Sequence, residues 1–192
     1  MQLTAALFRN ERTNFRVASN DPATPGQQVL DGRSRVDGVA LGATGYITPN
    51  WLVFANYTWL NGRVKQSVSD NCLATPDIPG TVACLNSAAI PDPQAGDRLI
   101  QTPKHSGSLF TSYRLPFGLE IGYGVTYQGK FALHQRTLLQ RTQFYSDDYV
   151  TQRLLVSYEV REGLTAQLNV QNLFDEKYYL SLIHISEPTR RT

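Results

Sequence analysis

The chain has 192 residues, of which 41% are apolar and 18% charged, below the roughly 45–50% and 25% usual for soluble domains. No run approaches the ~20 apolar residues a membrane helix needs, and the mean hydropathy is −0.30, so a helical membrane protein is excluded. A membrane barrel is not, because its strands are apolar only at alternate positions, and a net charge of +2 gives no sign of a nucleic-acid partner.

Met1 leads into Gln2-Leu3-Thr4-Ala5-Ala6-Leu7-Phe8 with neither a basic flank nor a long apolar core. No signal peptide is expected there, so the chain is either cytosolic or begins partway through a longer one. After a link at Ser19 to Gly26, Val39, Leu41 and Ala43 alternate with Gly38, Ala40, Gly42 and Thr44. Trp51, Val53, Ala55, Tyr57 and Trp59 share a face opposite Asn56 and Thr58, although Leu52, Phe54 and Leu60 blur that second face. A Pro-rich polar stretch, Ser67 to Arg98, carries Cys72 and Cys84. A loop-stapling disulfide in an oxidising compartment suits this pair better than a metal site, which would need further ligands nearby; two unrelated thiols are the other reading. Asp70, Asp77, Asp92 and Asp97 in the same stretch read as loop chemistry rather than a calcium site.

Leu99 to Leu115 and Leu119 to Lys130 predict a hairpin with strands of a dozen residues or more, beyond the ~5–6 typical of globular proteins. Leu119, Ile121, Tyr123, Val125 and Tyr127 alternate without a break with Glu120, Gly122, Gly124, Thr126 and Gln128. That is the period of a strand with one apolar and one wet face. A link at Ala132 to Asp147 follows, then Val150, Leu154, Val156, Tyr158 and Val160 alternate with Thr151, Arg153, Ser157 and Glu159. Leu164, Ala166, Leu168 and Val170 repeat the pattern against Thr165, Gln167, Asn169 and Gln171. Thr48-Pro49-Asn50, Pro116-Phe117-Gly118 and Arg161-Glu162-Gly163 are hairpin turns by composition. Short turns therefore alternate with long links, which describes an outer-membrane barrel better than a soluble sandwich. Tyr46, Trp51, Tyr113, Phe117 and Tyr158 flank the short turns, where an interfacial aromatic girdle would sit.

Three blocks carry a resemblance. Asn169-Val170-Gln171-Asn172-Leu173-Phe174-Asp175-Glu176-Lys177-Tyr178-Tyr179 is similar to the Asn-Leu-Phe-Asp-x-x-Tyr signature of TonB-dependent outer-membrane receptors, with Asn172, Leu173, Phe174, Asp175 and Tyr178 the matching positions. Arg35 to Gly45 followed by Ile47-Thr48-Pro49-Asn50-Trp51 resembles the family's strand, turn and strand, with Ala40 where a Glu is common. Gln101-Thr102-Pro103-Lys104-His105 resembles its Thr-Pro-Lys-His strand entry. The likeness is to siderophore receptors, and within them to the catecholate branch.

The resemblance implies an all-β, antiparallel, up-and-down transmembrane barrel. About seven strands of a 22-stranded barrel are expected over residues 1–180, with the plug domain absent. Such a fragment has two unpaired edges and is expected not to close or transport alone. Long loops would be extracellular and short turns periplasmic, in the bacterial outer membrane. Partners would be a ferric siderophore, the TonB complex, outer-membrane lipid and lipopolysaccharide, with no nucleic acid. No cofactor and no protein metal site is expected, since the siderophore supplies the ligands of its own iron. His105 would shape the strand entry or touch the plug.

Ferric catecholates are anionic and aromatic, so their capture calls for cations interleaved with rings. Lys130, Phe131, His134, Arg136, Arg141, Phe144 and Tyr145 supply that mixture in one outer loop, with no acidic residue before Asp147. A solvated hairpin whose basic residues meet lipopolysaccharide phosphates, or nothing, is the plainer reading. Asp147 and Asp148, adjacent on a strand, would point to opposite faces and not share a cation. Gly122-Tyr123-Gly124 lies inside a strand, and no catalytic constellation is found, which disfavours a barrel enzyme such as a lipase or protease. A passive porin would lack the Asn172 to Asp175 block, and a soluble β-sandwich adhesin is a third possibility. Leu180 to Arg190 match what a transposase-type sequencing adapter encodes when read through in frame, which marks residues 181–192, Ser181 to Thr192. They are taken as a non-native tail, the alternative being a genuine polar terminus, and His184 within them is given no role.

Overall fold

The computed structural model describes residues 1–19, 27–74, 89, 91–137 and 140–178; Cys84, Asp77 and the expected non-native tail lie outside them. Seven strands form one antiparallel sheet in chain order: β1 Gln2–Ala18, β2 Gln28–Thr48, β3 Trp51–Gln66, β4 His105–Arg114, β5 Leu119–Gln128, β6 Tyr149–Arg161 and β7 Leu164–Val170. The only helix among the described residues is α1, Asp70–Ala74, whose first turn is capped by the Ser69 hydroxyl accepting from the Cys72 amide at 3.0 Å. The sheet is open, since β1 and β7 do not pair with each other.

The hairpin turns fall where expected. Pro49 and Asn50 join β2 to β3. Gly118, at φ +83°, closes the β4–β5 turn, and Gly163, at φ +80°, the β6–β7 turn; both conformations favour glycine. The hairpin expected over Leu99 to Lys130 is corrected: β4 begins at His105, not Leu99, β5 ends at Gln128, and each has 10 residues rather than a dozen or more. Leu99 to Lys104 still runs beside β3, through Leu60 N–H to Lys104 O at 2.9 Å and Leu99 N–H to Gly62 O at 3.4 Å. Gln101 at φ +51° and Pro103, which has no N–H to donate, break the regular ladder between them.

Register divides the side chains between two faces. Leu3, Leu7, Leu41, Val53, Tyr57, Leu109, Ile121, Val125, Val156 and Leu168 share the first face. Thr4, Asn56, Ser108, Thr126, Thr151 and Asn169 are on the second, in register with glycines of β2 and β5. The expected split of β5, with Leu119, Ile121, Tyr123, Val125 and Tyr127 opposite Glu120, Thr126 and Gln128, matches this pairing. Trp51, Tyr113 and Tyr158 lie on the first face near the short turns, but Tyr46 pairs with Leu52 on the second.

Large apolar side chains on the first face stay open: Leu7 is 83% exposed, and Leu41, Leu109, Tyr113 and Ile121 are all exposed. Buried strand residues instead lie on the second face, among them Ser34, Gly38, Val64, Ser112, Gly122 and Gly124. Their cover comes from neighbours on the same face: Phe8 lies over Gly38, Phe110 over Gly122 and Arg153 over Gly124. The glycines leave room for rings and a guanidinium to lie flat across the strand, and Arg153 sits 5.0 Å from the Phe110 ring centroid. Polar groups on the apolar face are satisfied locally: Trp51 Nε1 donates to Thr111 Oγ1 at 2.7 Å, and the Tyr123 hydroxyl donates to Gln152.

Candidate functional site

The long connections all leave from the end of the sheet opposite the short turns, and two of them pack into one unit. The 130–146 segment folds back on itself, with Leu133 N–H bonded to Phe144 O and Ser146 N–H to Phe131 O, both at 2.9 Å. Its inner edge is tied to the segment entering β4, where Gln101 N–H donates to Ala132 O at 3.0 Å. The Gln143 amide fastens the other end, donating from Nε2 to Arg98 O at 2.9 Å and accepting from Arg98 N–H through Oε1 at 3.0 Å. Gln94 Nε2 reaches Arg136 O at 2.8 Å. Arg136 Nε lies 2.6 Å from Asp97 Oδ1. Neither this nitrogen nor Asp97 Oδ2 makes an aligned hydrogen bond, so the contact is one of charge, around a carboxylate only 5% exposed.

This packing sorts the seven expected ligand-binding residues. Phe131 is 2% exposed and serves as the loop's own core, beside Ala132. Lys130 faces Asp147 and Asp148, each at 3.8 Å. These two carboxylates precede β6 and converge on one cation, contrary to the expectation that they diverge on a strand. Arg136 is committed to Asp97. His134 holds the loop together, its Nδ1 lying 2.9 Å from Gln135 O and its Nε2 accepting from Phe144 N–H at 3.3 Å; that arrangement places the ring proton on Nδ1. Arg141 and Phe144 are exposed, and Tyr145 is 43% exposed. The Arg98 guanidinium stands 5.6 Å from the Tyr145 ring centroid. Arg98, which sequence reasoning left in the preceding loop, therefore joins the outward set of Arg141, Phe144 and Tyr145. Only the return of the 130–146 segment onto the β4 entry brings it there.

The remaining candidates have structural partners. His105 opens β4 on the apolar face, 2.7 Å from the Tyr57 hydroxyl through Nδ1, so it shapes the strand entry and does not reach the face that would meet a plug. Asp70 pairs with Arg33 and Gln66, and Asp92 accepts from the amides of Ser67, Gln94 and Ala95. Among the described residues no acidic, histidine or cysteine cluster could hold a metal ion. Cys72 is fully buried next to Val68. The signature block is a turn: Asn172, at φ +49°, accepts from Glu176 N–H at 3.0 Å and donates to Glu176 O at 3.1 Å. Tyr178 stacks on Tyr149 with centroids 4.3 Å apart.

A family model described as TonB dependent receptor-like, beta-barrel, matches residues 1–173. The probable TonB-dependent siderophore receptor PiuA of Acinetobacter baumannii is 30% identical over 179 residues, covering 93% of this chain and 21% of its own length. The catecholate siderophore receptor Fiu of Escherichia coli is 30% identical over 181 residues, covering 94% and 20%. The crystal structures agree: PiuA superposes with a TM-score of 0.72 and Fiu, in its closed form, with 0.69, each at 28% identity, over 93% of this chain and 22% of theirs. The chain thus spans about a fifth of the length of the curated relatives it matches, and these are receptors, not enzymes. Its seven-stranded open sheet, its two-faced register and its signature turn make it a member of the TonB-dependent receptor β-barrel family.

Proposed function

We propose that the complete receptor imports ferric siderophores of the catecholate type across the bacterial outer membrane by TonB-coupled transport, and that this chain forms part of its barrel wall and capture surface. The observation that carries this reading is the 30% identity to Fiu over 94% of the chain. The first face of the sheet meets lipid, and the second lines a watery interior. The short turns lie on the periplasmic side and the long loops outside the cell, where Arg98, Arg141, Phe144 and Tyr145 present cations and rings together. An anionic aromatic complex gains charge attraction from the arginines and stacking from the rings. Iron enters as cargo already held by the siderophore's oxygens. Coupling to TonB runs through the plug that the family resemblance implies, and covalent catalysis has no part in it.

The test is uptake of radioactive iron by iron-starved cells expressing the full-length receptor, with defined siderophores offered one at a time. Catecholate complexes are expected to be imported, and deletion of TonB to abolish import. Import of hydroxamate or of metal–pseudopaline complexes instead would overturn the substrate assignment. Double replacement Arg98→Gln and Arg141→Gln is expected to weaken surface binding by about tenfold, or roughly 1.4 kcal/mol, with normal insertion.

A further inference from the structure

Of the ties that close the 130–146 segment, one runs through an ionisable ring. In a regular antiparallel pair, opposed residues exchange two main-chain hydrogen bonds. Across Leu133 and Phe144 the first of these is present, from Leu133 N–H to Phe144 O at 2.9 Å. The second bond goes to a side chain instead: Phe144 N–H donates to His134 Nε2 at 3.3 Å. The imidazole also stands edge-on to the Phe144 ring, with centroids 5.4 Å apart and planes at 70°. Its other nitrogen, Nδ1, lies 2.9 Å from Gln135 O, and the Gln143 amide donates to His134 O at 3.3 Å. Only a neutral ring with its proton on Nδ1 serves both Gln135 O and Phe144 N–H.

A second proton can enter this ring only at Nε2, because Nδ1 already carries one. That nitrogen then becomes a donor facing a donor, and the bond to Phe144 N–H is lost. The charges packed around the segment offer nothing in exchange. Its own cations are Lys130, Arg136 and Arg141, and the β4 entry adds Arg98. The carboxylates of the unit are already taken: Asp97 by Arg136, Asp147 and Asp148 by Lys130, and Asp92 by the amides of Ser67, Gln94 and Ala95. The segment's remaining titratable group, Tyr145, has its hydroxyl bonded to Gln143. We infer that His134 is a pH-responsive pin of the capture surface: its neutral ring closes the 130–146 segment and holds Phe144 and Tyr145 in place, and its charged ring lets them go. As regulation of siderophore capture, this rests on the function proposed above. The tie is complete at neutral and alkaline pH. It fades as the pH falls through about 8 to 5, the interval in which imidazoles take up a second proton, so the surface loosens on acidification.

The experiment is hydrogen exchange of the full-length receptor in detergent at about pH 7.5 and about pH 5.5, corrected for the intrinsic change in exchange rate. Protection of the Phe144 amide is expected to fall about fivefold, the worth of one hydrogen bond, with the Asn172 to Glu176 turn unchanged. His134→Gln keeps a neutral acceptor and should hold one level of protection at both pH values. His134→Lys, charged throughout, should show the low level at both. Protection in the unaltered protein that does not change with pH, a result needing no variant to fold, would overturn the pin. So would an equal fall in the His134→Gln protein. Capture is read separately by fluorescence quenching with the ferric complex of 2,3-dihydroxybenzoate, comparing the two proteins at the same pH so that both meet the same species. Between the two pH values the unaltered protein should lose about fivefold more affinity than His134→Gln, and an equal loss in both overturns the regulation. A probe that binds neither protein at the higher pH refutes the capture reading, and exchange still decides the pin.

Discussion

Replacing Leu109 by arginine tests the two-faced wall most directly. Leu109 pairs with Ala55 and Val125 on the apolar face. It stands midway between the Trp51–Tyr113 row and the Trp59–His105 row, which bound the apolar surface of β3 and β4. Eight residue steps separate those rows, about 26 Å of strand, or roughly 20 Å of height at the ~40° tilt common in such barrels. Leu109 is therefore at mid-depth, where an arginine costs about 2–4 kcal/mol. Tyr113→Arg, at the edge of the same band, should cost about 0–1 kcal/mol for its charge. Thr126→Arg, exposed on the second face beside Ser108 and Thr151, should stay within about 0.5 kcal/mol. The measurement is urea unfolding of the full-length receptor in lipid vesicles, followed by tryptophan fluorescence. A Thr126→Arg penalty as large as that of Leu109→Arg would mean that both faces sit in dry packing, and the barrel-wall assignment would fail.

Four other outcomes are expected. Gly122→Val places atoms where Phe110 Cζ is 2.9 Å and Leu155 Cβ 3.1 Å from a built Cβ; it should cost about 1–3 kcal/mol, and Phe110→Ala in the same protein should return part of that in a double-mutant cycle. Arg136→Gln leaves the buried Asp97 carboxylate without its cation and should cost the loop roughly 2 kcal/mol, read as faster hydrogen exchange at the Arg98 and Leu133 amides. Phe131→Ala should loosen the 130–146 segment, also read by exchange, whereas Tyr145→Phe, which removes only the hydroxyl's bond to Gln143 Oε1 and keeps the ring, should leave siderophore affinity within about twofold. For Cys72 and Cys84 we expect a disulfide, so intact mass after alkylation without reduction should show no label, and Cys72→Ala should cost about 3 kcal/mol for a loop of this length.

The fold was legible because a barrel wall is written in local alternation. β5 to β7 each show their faces within ten or so residues, and glycine or proline marks each tight turn. Two features escaped. β1 has the same alternation in Leu3, Ala5 and Leu7, yet Ala6 and Phe8 on the other face hide it, since Phe8 is there to cover Gly38 across the ladder. The start of β4 was set too early because Leu99 and Ile100 look strand-like on their own, and only Gln101 at positive φ with Pro103 shows the ladder broken.

The site was legible as composition, not as geometry. A mixture of cations and rings between Lys130 and Tyr145 correctly marks a basic aromatic segment, but the sequence does not say which of them the loop spends on its own folding. A segment this long needs a core and internal ties to offset the entropy of ordering it. Phe131, His134 and the Arg136–Asp97 pair supply them, using up part of the same chemistry that ligand capture requires. The side chains left outward are set by where Gln143 and Gln94 fasten the loop, contacts that span more than forty residues. The proposed capture surface therefore draws on Arg98, from a different segment, as well as on Arg141 and Tyr145. A loop transplanted without the β4 entry would carry the rings but lose the guanidinium that faces them.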